Sequence, residues 1–395
     1  MKKHVSLLLM ALMSVSLVLG GCGKGGSGTP GTESQAKIQT EVQTEAETGD
    51  QTIVQSGDKT APDQASESPS GESSSPAPES GVGGELNTGS GENKLTCQAA
   101  IRVGSLKGPT SMGLVSLMDK ASKGETSNVY EFTMAGKADE LVGKIANGDL
   151  DIALLPANVA SILYGKTKGN VAVVDINTLG VLYVVTADSS ISSMADLKGK
   201  TVYMTGKGTT PEFAMNYLLA ENGVEPSEVD FQFKSEATEV VSFLAQDSAA
   251  IGVLPQPFAT AACIQNEALK PVLDLTEEWN KLNEATGSMM VTGVTLVRRD
   301  FLNENEDAVK TFLKEHKASA AFTEEHPDEA AELIAAQGIV EKAPVAKKAL
   351  PSCNIVCITG QEMKDALTGY LTVLESQDAQ SIGQGLPGDD FYYFP

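Results

Sequence analysis

The sequence predicts an α/β protein of two lobes, each a mixed, mainly parallel sheet flanked by helices, behind a disordered leading segment. Three observations carry this. Short apolar or β-branched runs alternate with helical patterns from about residue 97 onward. Two elements of that alternation recur in the same order. A Lys-Gly segment at Lys107 is followed 49 residues later by the strand end Leu155-Pro156, and one at Lys207 is followed 48 residues later by Leu254-Pro255. Finally, all 11 Phe, 8 Tyr and the single Trp lie beyond residue 93.

Residues 23–93 are almost entirely Gly, Ser, Thr, Pro, Glu, Gln and Asp, with twelve acidic residues against three lysines. Such a stretch buries too little apolar surface to offset its ordering entropy, so disorder is expected. The remaining chain of about 300 residues suffices for two domain-sized units. In it, runs at 99–103, 129–134, 152–155, 171–176 and 181–185 read as strands. Between the earlier ones, 110–121 puts Met112, Val115, Leu117 and Met118 near one stripe, and 138–146 groups Leu141, Val142 and Ile145. A further strand at 201–205 opens the second copy of the pattern. Toward the end, 305–323 carries Val309, Phe312, Leu313 and Ala320 at helical spacing, and Pro327-Asp328-Glu329 starts another helix with acids in its first turn. These last helices are expected to wrap lobe one. The net charge of −23 excludes nucleic acid as a partner, since phosphate binding needs a basic face.

In open α/β sheets, ligands bind beyond the carboxyl ends of strands, where helix N-termini present unpaired N–H groups and partial positive charge. Both Lys-Gly segments are expected at such ends, facing each other as a two-sided clamp. Candidate ligand-binding residues are Ser105, Lys107, Gly108, Thr110 and Ser111 in the first copy and Lys207, Thr209 and Thr210 in the second. Asn158 and Gln256, at the next strand ends, add amides that both donate and accept. The same residue types are also ordinary helix starts and turn formers. Trp279 reads as packing ahead of a pocket role. His316 and His326 lie among charged residues with no adjacent nucleophile and read as solvated. Cys353 and Cys357, with only those two histidines available, make a poor metal set, so no metal is expected. Together with Cys97 and Cys263 they leave unpaired thiols or one local bridge. No constellation of nucleophile, base and metal stands out, so no catalytic residue and no cofactor is assigned.

Lys2 and Lys3, an apolar run at 5–19 and the sequence Leu19-Gly20-Gly21-Cys22 are too short and wrongly flanked for a membrane span. They resemble a bacterial lipoprotein signal, which implies cleavage before Cys22 and a lipid on its thiol. Residues 22–96 then form a tether with an r.m.s. span of roughly 50 Å.

Four segments resemble the solute-binding lipoproteins of ATP-driven (ABC) importers, in particular those for nitrate, sulfonates, taurine and thiamine precursors. They are Ile101-Arg102-Val103-Gly104, Asn147-Gly148-Asp149-Leu150-Asp151-Ile152-Ala153, Met194-Ala195-Asp196-Leu197-Lys198-Gly199-Lys200-Thr201-Val202 and Val297-Arg298-Arg299-Asp300-Phe301-Leu302. The resemblance covers residues 97–395 and implies the type II periplasmic-binding-protein fold, with the chain crossing between lobes near Ala187 and near 287–291. The expected division is signal 1–21, lipidated tether 22–96, lobe one 97–186 plus 291–395, and lobe two 187–290. It further implies a monomer held by lipid on the outer face of the cell membrane. There it would capture a small organic anion or heterocycle and deliver it to an ABC permease. A surface sensor on the same closing fold is the alternative. A pyrimidine-synthesising enzyme ranks third, because the cysteine-rich motif associated with it is absent and the chain carries an export signal.

Overall fold

The computed structural model describes residues 100–395 apart from Ser248 and Gln384. The signal, Cys22, the tether and Cys97 lie outside the described residues.

The first segment runs β1 (Ile101–Leu106), α1 (Pro109–Met112), α2 (Val115–Ser122), β2 (Tyr130–Ala135), α3 (Ala138–Ala146), β3 (Ile152–Pro156), α4 (Ala157–Lys166) and β4 (Val171–Leu179). The second runs β5 (Leu182–Thr186), β6 (Thr201–Thr205), α5 (Thr210–Glu221), β7 (Asp230–Lys234), α6 (Ala237–Gln246), β8 (Ile251–Pro255), α7 (Phe258–Gln265), β9 (Lys270–Asp274) and α8 (Leu275–Asn283). The chain then returns through β10 (Val291–Arg298), α9 (Arg299–Glu304), α10 (Glu306–Glu325), α11 (Pro327–Ala336), α12 (Ala343–Ala349), β11 (Ile355–Ile358) and α13 (Gly360–Gln377). The helix expected over 110–121 is two pieces, broken at Gly113, where an added Cβ would sit 3.0 Å from Ile355.

Two sheets result, ordered β11-β4-β10-β3-β1-β2 and β7-β6-β8-β5-β9. In the first, β1 pairs parallel with β2 and β3; in the second, β6 pairs parallel with β7 and β8. Each parallel trio is closed by one antiparallel strand, β10 on β3 and β5 on β8. The sequence echo falls on equivalent positions. Val103 faces Ile152 as Val202 faces Ile251, so the two Leu-Pro strand ends occupy matching places.

β5 corrects one expected boundary. The sequence reading puts 181–186 in lobe one, but β5 pairs with β8 and β9 of the second sheet. The change of sheet therefore falls at Gly180-Val181, where no side chain at Gly180 leaves room for close approach. A Cβ there would lie 2.2 Å from Thr276 Oγ1 and 3.0 Å from Met290 Sδ. The return to the first sheet runs through 284–290. There Gly369 of α13 packs on Ser288, which a Cβ would meet at 2.6 Å.

Strand β3 is apolar and fully buried from Ile152 to Leu155, as expected of a strand covered on both faces. Val309 and Phe312 of α10 bury against β1 and β4 residues such as Val103 and Val174. Another apolar cluster runs from Leu141 and Leu155 through Met290, Trp279 and Tyr370 to Leu218 and Met204, joining the two sheets' cores along α13, α8 and α5. Arg102, Asp151 and Arg298, from three separate segments of the chain, also meet. Arg102 donates twice to buried Asp151, at 2.6 and 2.9 Å, and Arg298 Nη2 lies 3.5 Å from the same carboxylate.

Candidate functional site

β3 of the first sheet ends in Pro156, β6 and β8 of the second end in Thr205 and Pro255, and these three carboxyl ends meet at one place. A cavity of about 350 Å³ lies there. The first sheet's side contributes Pro156, Asn158, Val159, Thr292 and Tyr370; the second contributes Thr205, Thr209, Thr210, Pro211 and Pro255, with Val181, Leu182 and Met290 at the crossings. None of these lining residues carries a charge.

Two helices begin at this cavity, α4 after Pro156 and α5 after Thr209, and neither has a side-chain cap. The Thr209 hydroxyl donates instead to the Gly206 carbonyl at 2.6 Å. In α5, Pro211 carries no N–H and the Glu212 and Phe213 N–H groups bond to the Thr209 carbonyl, which leaves the Thr210 N–H. Glu212, in the first turn of α5, accepts from the Gly208 N–H outside the cavity lining and offsets part of that helix's positive end.

The third element is Tyr370. Its side chain is 1% exposed and its hydroxyl has no hydrogen-bond partner among the described residues. Thr210 lies close enough to hydrogen-bond this phenol and works against the effect of burial, yet no hydrogen bond of normal geometry joins them. Burial raises the pKa of this phenol and keeps it neutral. Its ring packs on buried Trp279 at 5.3 Å, and the Trp279 N–H donates to Ser288 on the return crossing. Trp279 is thus packing, one layer behind the cavity wall.

Of the residues picked from sequence, Asn158, Thr209 and Thr210 line this cavity. The first Lys-Gly segment does not. Ser105 and Ser111 are buried with their hydroxyls 2.7 Å apart, and Gly108, at φ 132°, accepts the Ser111 N–H in a tight turn. Thr110 packs near Gly293 of β10, while Lys107 is exposed. Lys207 lies over the Phe233 ring at 5.7 Å. Gln256 is buried, accepts from Thr260 Oγ1 at 2.8 Å, and lines a different, larger groove of about 520 Å³ with Cys263, Lys270 and Lys348. We assign the smaller cavity as the site because two helix ends and an unpartnered buried hydroxyl meet there. The Pro-Asn turn of the first copy faces the Thr-Thr-Pro turn of the second, so the two copies contribute different turns. Tyr370 was missed because it sits on an amphipathic helix far along the chain, where nothing distinguishes it from core.

His316 is a second correction. It is completely buried, with Nδ1 3.1 Å from Asp175 Oδ2, because α10 turns that position onto β4 and not toward solvent. Burial opposes its charge, but Asp175 and then Cys357 outweigh burial and raise its pKa to about 10. His326 is exposed and stacks on Phe322. Cys263, Cys353 and Cys357 are free thiols. Among the described residues no helix is long and apolar enough to cross a membrane.

Against known proteins, residues 123–348 match the model of the phosphonate ABC transporter periplasmic substrate-binding proteins, and the chain belongs to that family. No curated protein matches in sequence. Among solved structures, an ABC transporter protein of Parabacteroides distasonis is similar at TM-score 0.62 and 21% identity, over 74% of this chain and 98% of its own. The periplasmic aliphatic sulphonate binding protein of Escherichia coli is similar at TM-score 0.59 and 16% identity, over 73% and 92%. A putative periplasmic sulfonate-binding protein of Methylobacillus flagellatus gives 0.52 and 16%, over 74% and 90%. At these identities the structures speak for the fold, two mixed sheets flanked by helices in the type II periplasmic-binding-protein arrangement. The family is one of transporter binding proteins.

Proposed function

We propose that the chain is a lipid-anchored, extracytoplasmic binding protein that captures a small solute in the cavity between its lobes and hands it to an ABC permease. The observation that carries this reading is the convergence of two side-chain-uncapped helix N-termini and the unpartnered Tyr370 hydroxyl on one cavity. Each group wants an acceptor, and a solute drawn between the lobes supplies it. A permease senses loading only if the solute binds the closed arrangement better than the open one, and a cavity walled by both lobes meets that condition.

The wall chemistry bounds the solute. A helix N-terminus is equivalent to about half a positive charge, so two ends, one of them partly offset by Glu212, balance at most about one negative charge. With Pro156, Val159, Val181, Leu182, Pro211 and Met290 around them, the solute has an apolar body and one acceptor group carrying at most a single negative charge. A fully ionised phosphonate exceeds that balance, and the exposed Lys107 and the Phe233-engaged Lys207 supply no further counter-charge in the cavity. Isothermal titration against alkylphosphonates, alkylsulfonates, nitrate and pyrimidines tests this. Binding of a singly charged or neutral member supports the reading; absence of binding by every class, with no solute retained on purification, contradicts it.

A further inference from the structure

We propose that Asp175, His316 and Cys357 form a site for one thiophilic divalent cation of the zinc type inside lobe one. None of the three lines the solute cavity. They come from three elements, β4, α10 and β11, and present a carboxylate oxygen, an imidazole nitrogen and a thiol sulfur all within 4.8 Å of one another. Tetrahedral zinc with ligands at about 2.0–2.3 Å sets its donors roughly 3.3–3.8 Å apart, so small side-chain shifts bring this set onto a metal. The donor types select for zinc-like ions over magnesium or calcium, which take oxygen ligands.

A zinc-type cation takes imidazole nitrogen and thiolate sulfur as donors, so the metal displaces the thiol proton and binding weakens as pH falls. The imidazole meets Asp175 through Nδ1, the nitrogen that would face the metal, while its buried Nε2 lies on the Gly113 side. The carboxylate is oriented from behind: Thr295 Oγ1 donates to Asp175 Oδ1 at 2.8 Å and is itself held by Asn177 at 3.1 Å. Access runs through Cys357, which is half-buried on edge strand β11, where pairing to β4 is irregular. Bound metal would pin that edge and α10 to β4. The sequence reading rejected a metal because it counted cysteines and histidines and did not see Asp175 beside them.

The test uses the full chain, stripped with chelator under reducing conditions and titrated with Co²⁺ and then Zn²⁺. One Co²⁺ per chain with a near-ultraviolet thiolate-to-metal band, displaced by Zn²⁺, is expected; Cys357→Ala loses the band and binds Zn²⁺ at least tenfold more weakly. In the unsubstituted chain, Zn²⁺ slows alkylation of Cys357 at least tenfold and leaves Cys263 unchanged, read by peptide mass spectrometry. That arm stands even if the variant fails to fold. No thiolate band, equal uptake by Cys357→Ala, or alkylation of Cys357 indifferent to Zn²⁺ overturns the proposal.

Discussion

Replacing Tyr370 by Phe separates the stability of the empty protein from its function. The hydroxyl is buried and without a hydrogen bond, so it carries a desolvation cost of about 1–3 kcal/mol that Phe removes. The ring contact with Trp279 is retained. At about 2.1 cal/mol/K per residue, a folded part of roughly 300 residues unfolds with about 0.6 kcal/mol/K of entropy, so the melting temperature rises by about 2–5 °C. Solute binding moves the other way. If the hydroxyl serves the solute, its loss costs about 1–1.5 kcal/mol, roughly tenfold in Kd. Thermal melting followed by fluorescence of Trp279, the sole tryptophan, gives the first number, and isothermal titration the second. A fall in melting temperature with unchanged affinity refutes the reasoning. It would mean that the hydroxyl is paired with Thr210 in solution and has no part in binding.

Gly180→Ala is expected to destabilise by about 1–3 kcal/mol through overpacking against Thr276, and Thr276→Ala in the same chain to recover most of it; urea denaturation of both variants measures this. Asp151→Ala leaves Arg102 and Arg298 without their shared carboxylate, and with Arg102 37% exposed the expected loss is about 2 kcal/mol, with solute affinity unchanged because none of the three lines the cavity. Chemical denaturation and titration of that variant check both parts. Cys22→Ser is expected to abolish incorporation of labelled fatty acid in cells; a chain that still takes up the label has its anchor elsewhere.

The alternation of strands and helices was legible because β3 and β8 are short apolar runs ending in proline, and such runs have few alternatives to a strand buried on both faces. The duplicated architecture was legible for the same reason, since Ile152 and Ile251 open equivalent strands. The crossing at Gly180 was not. Residues 171–186 are mostly apolar, and nothing local says that β4 and β5 join different sheets; only distant pairing partners, such as Gly252 for Val185 and Val291 for Leu179, decide it. The site was half legible. Asn158, Thr209 and Thr210 follow strand ends and could be placed by rule. The lysines drew attention by charge, but charge says nothing about direction, and Lys207 turns to an aromatic ring. Tyr370 and the Asp175–His316 pair were invisible because their meaning comes from tertiary neighbours.

Solute is expected to bind between the lobes against the starts of α4 and α5. A crystal structure of the complex with the solute found by titration tests it most directly. The predicted result is solute density touching Asn158, Thr209 or Thr210 and the Tyr370 hydroxyl, with its acceptor group at the helix N–H groups. Solute held in the groove beside Gln256 and Lys348, or on an outer face of either sheet, would mean that the cavity between the lobes is not the binding site.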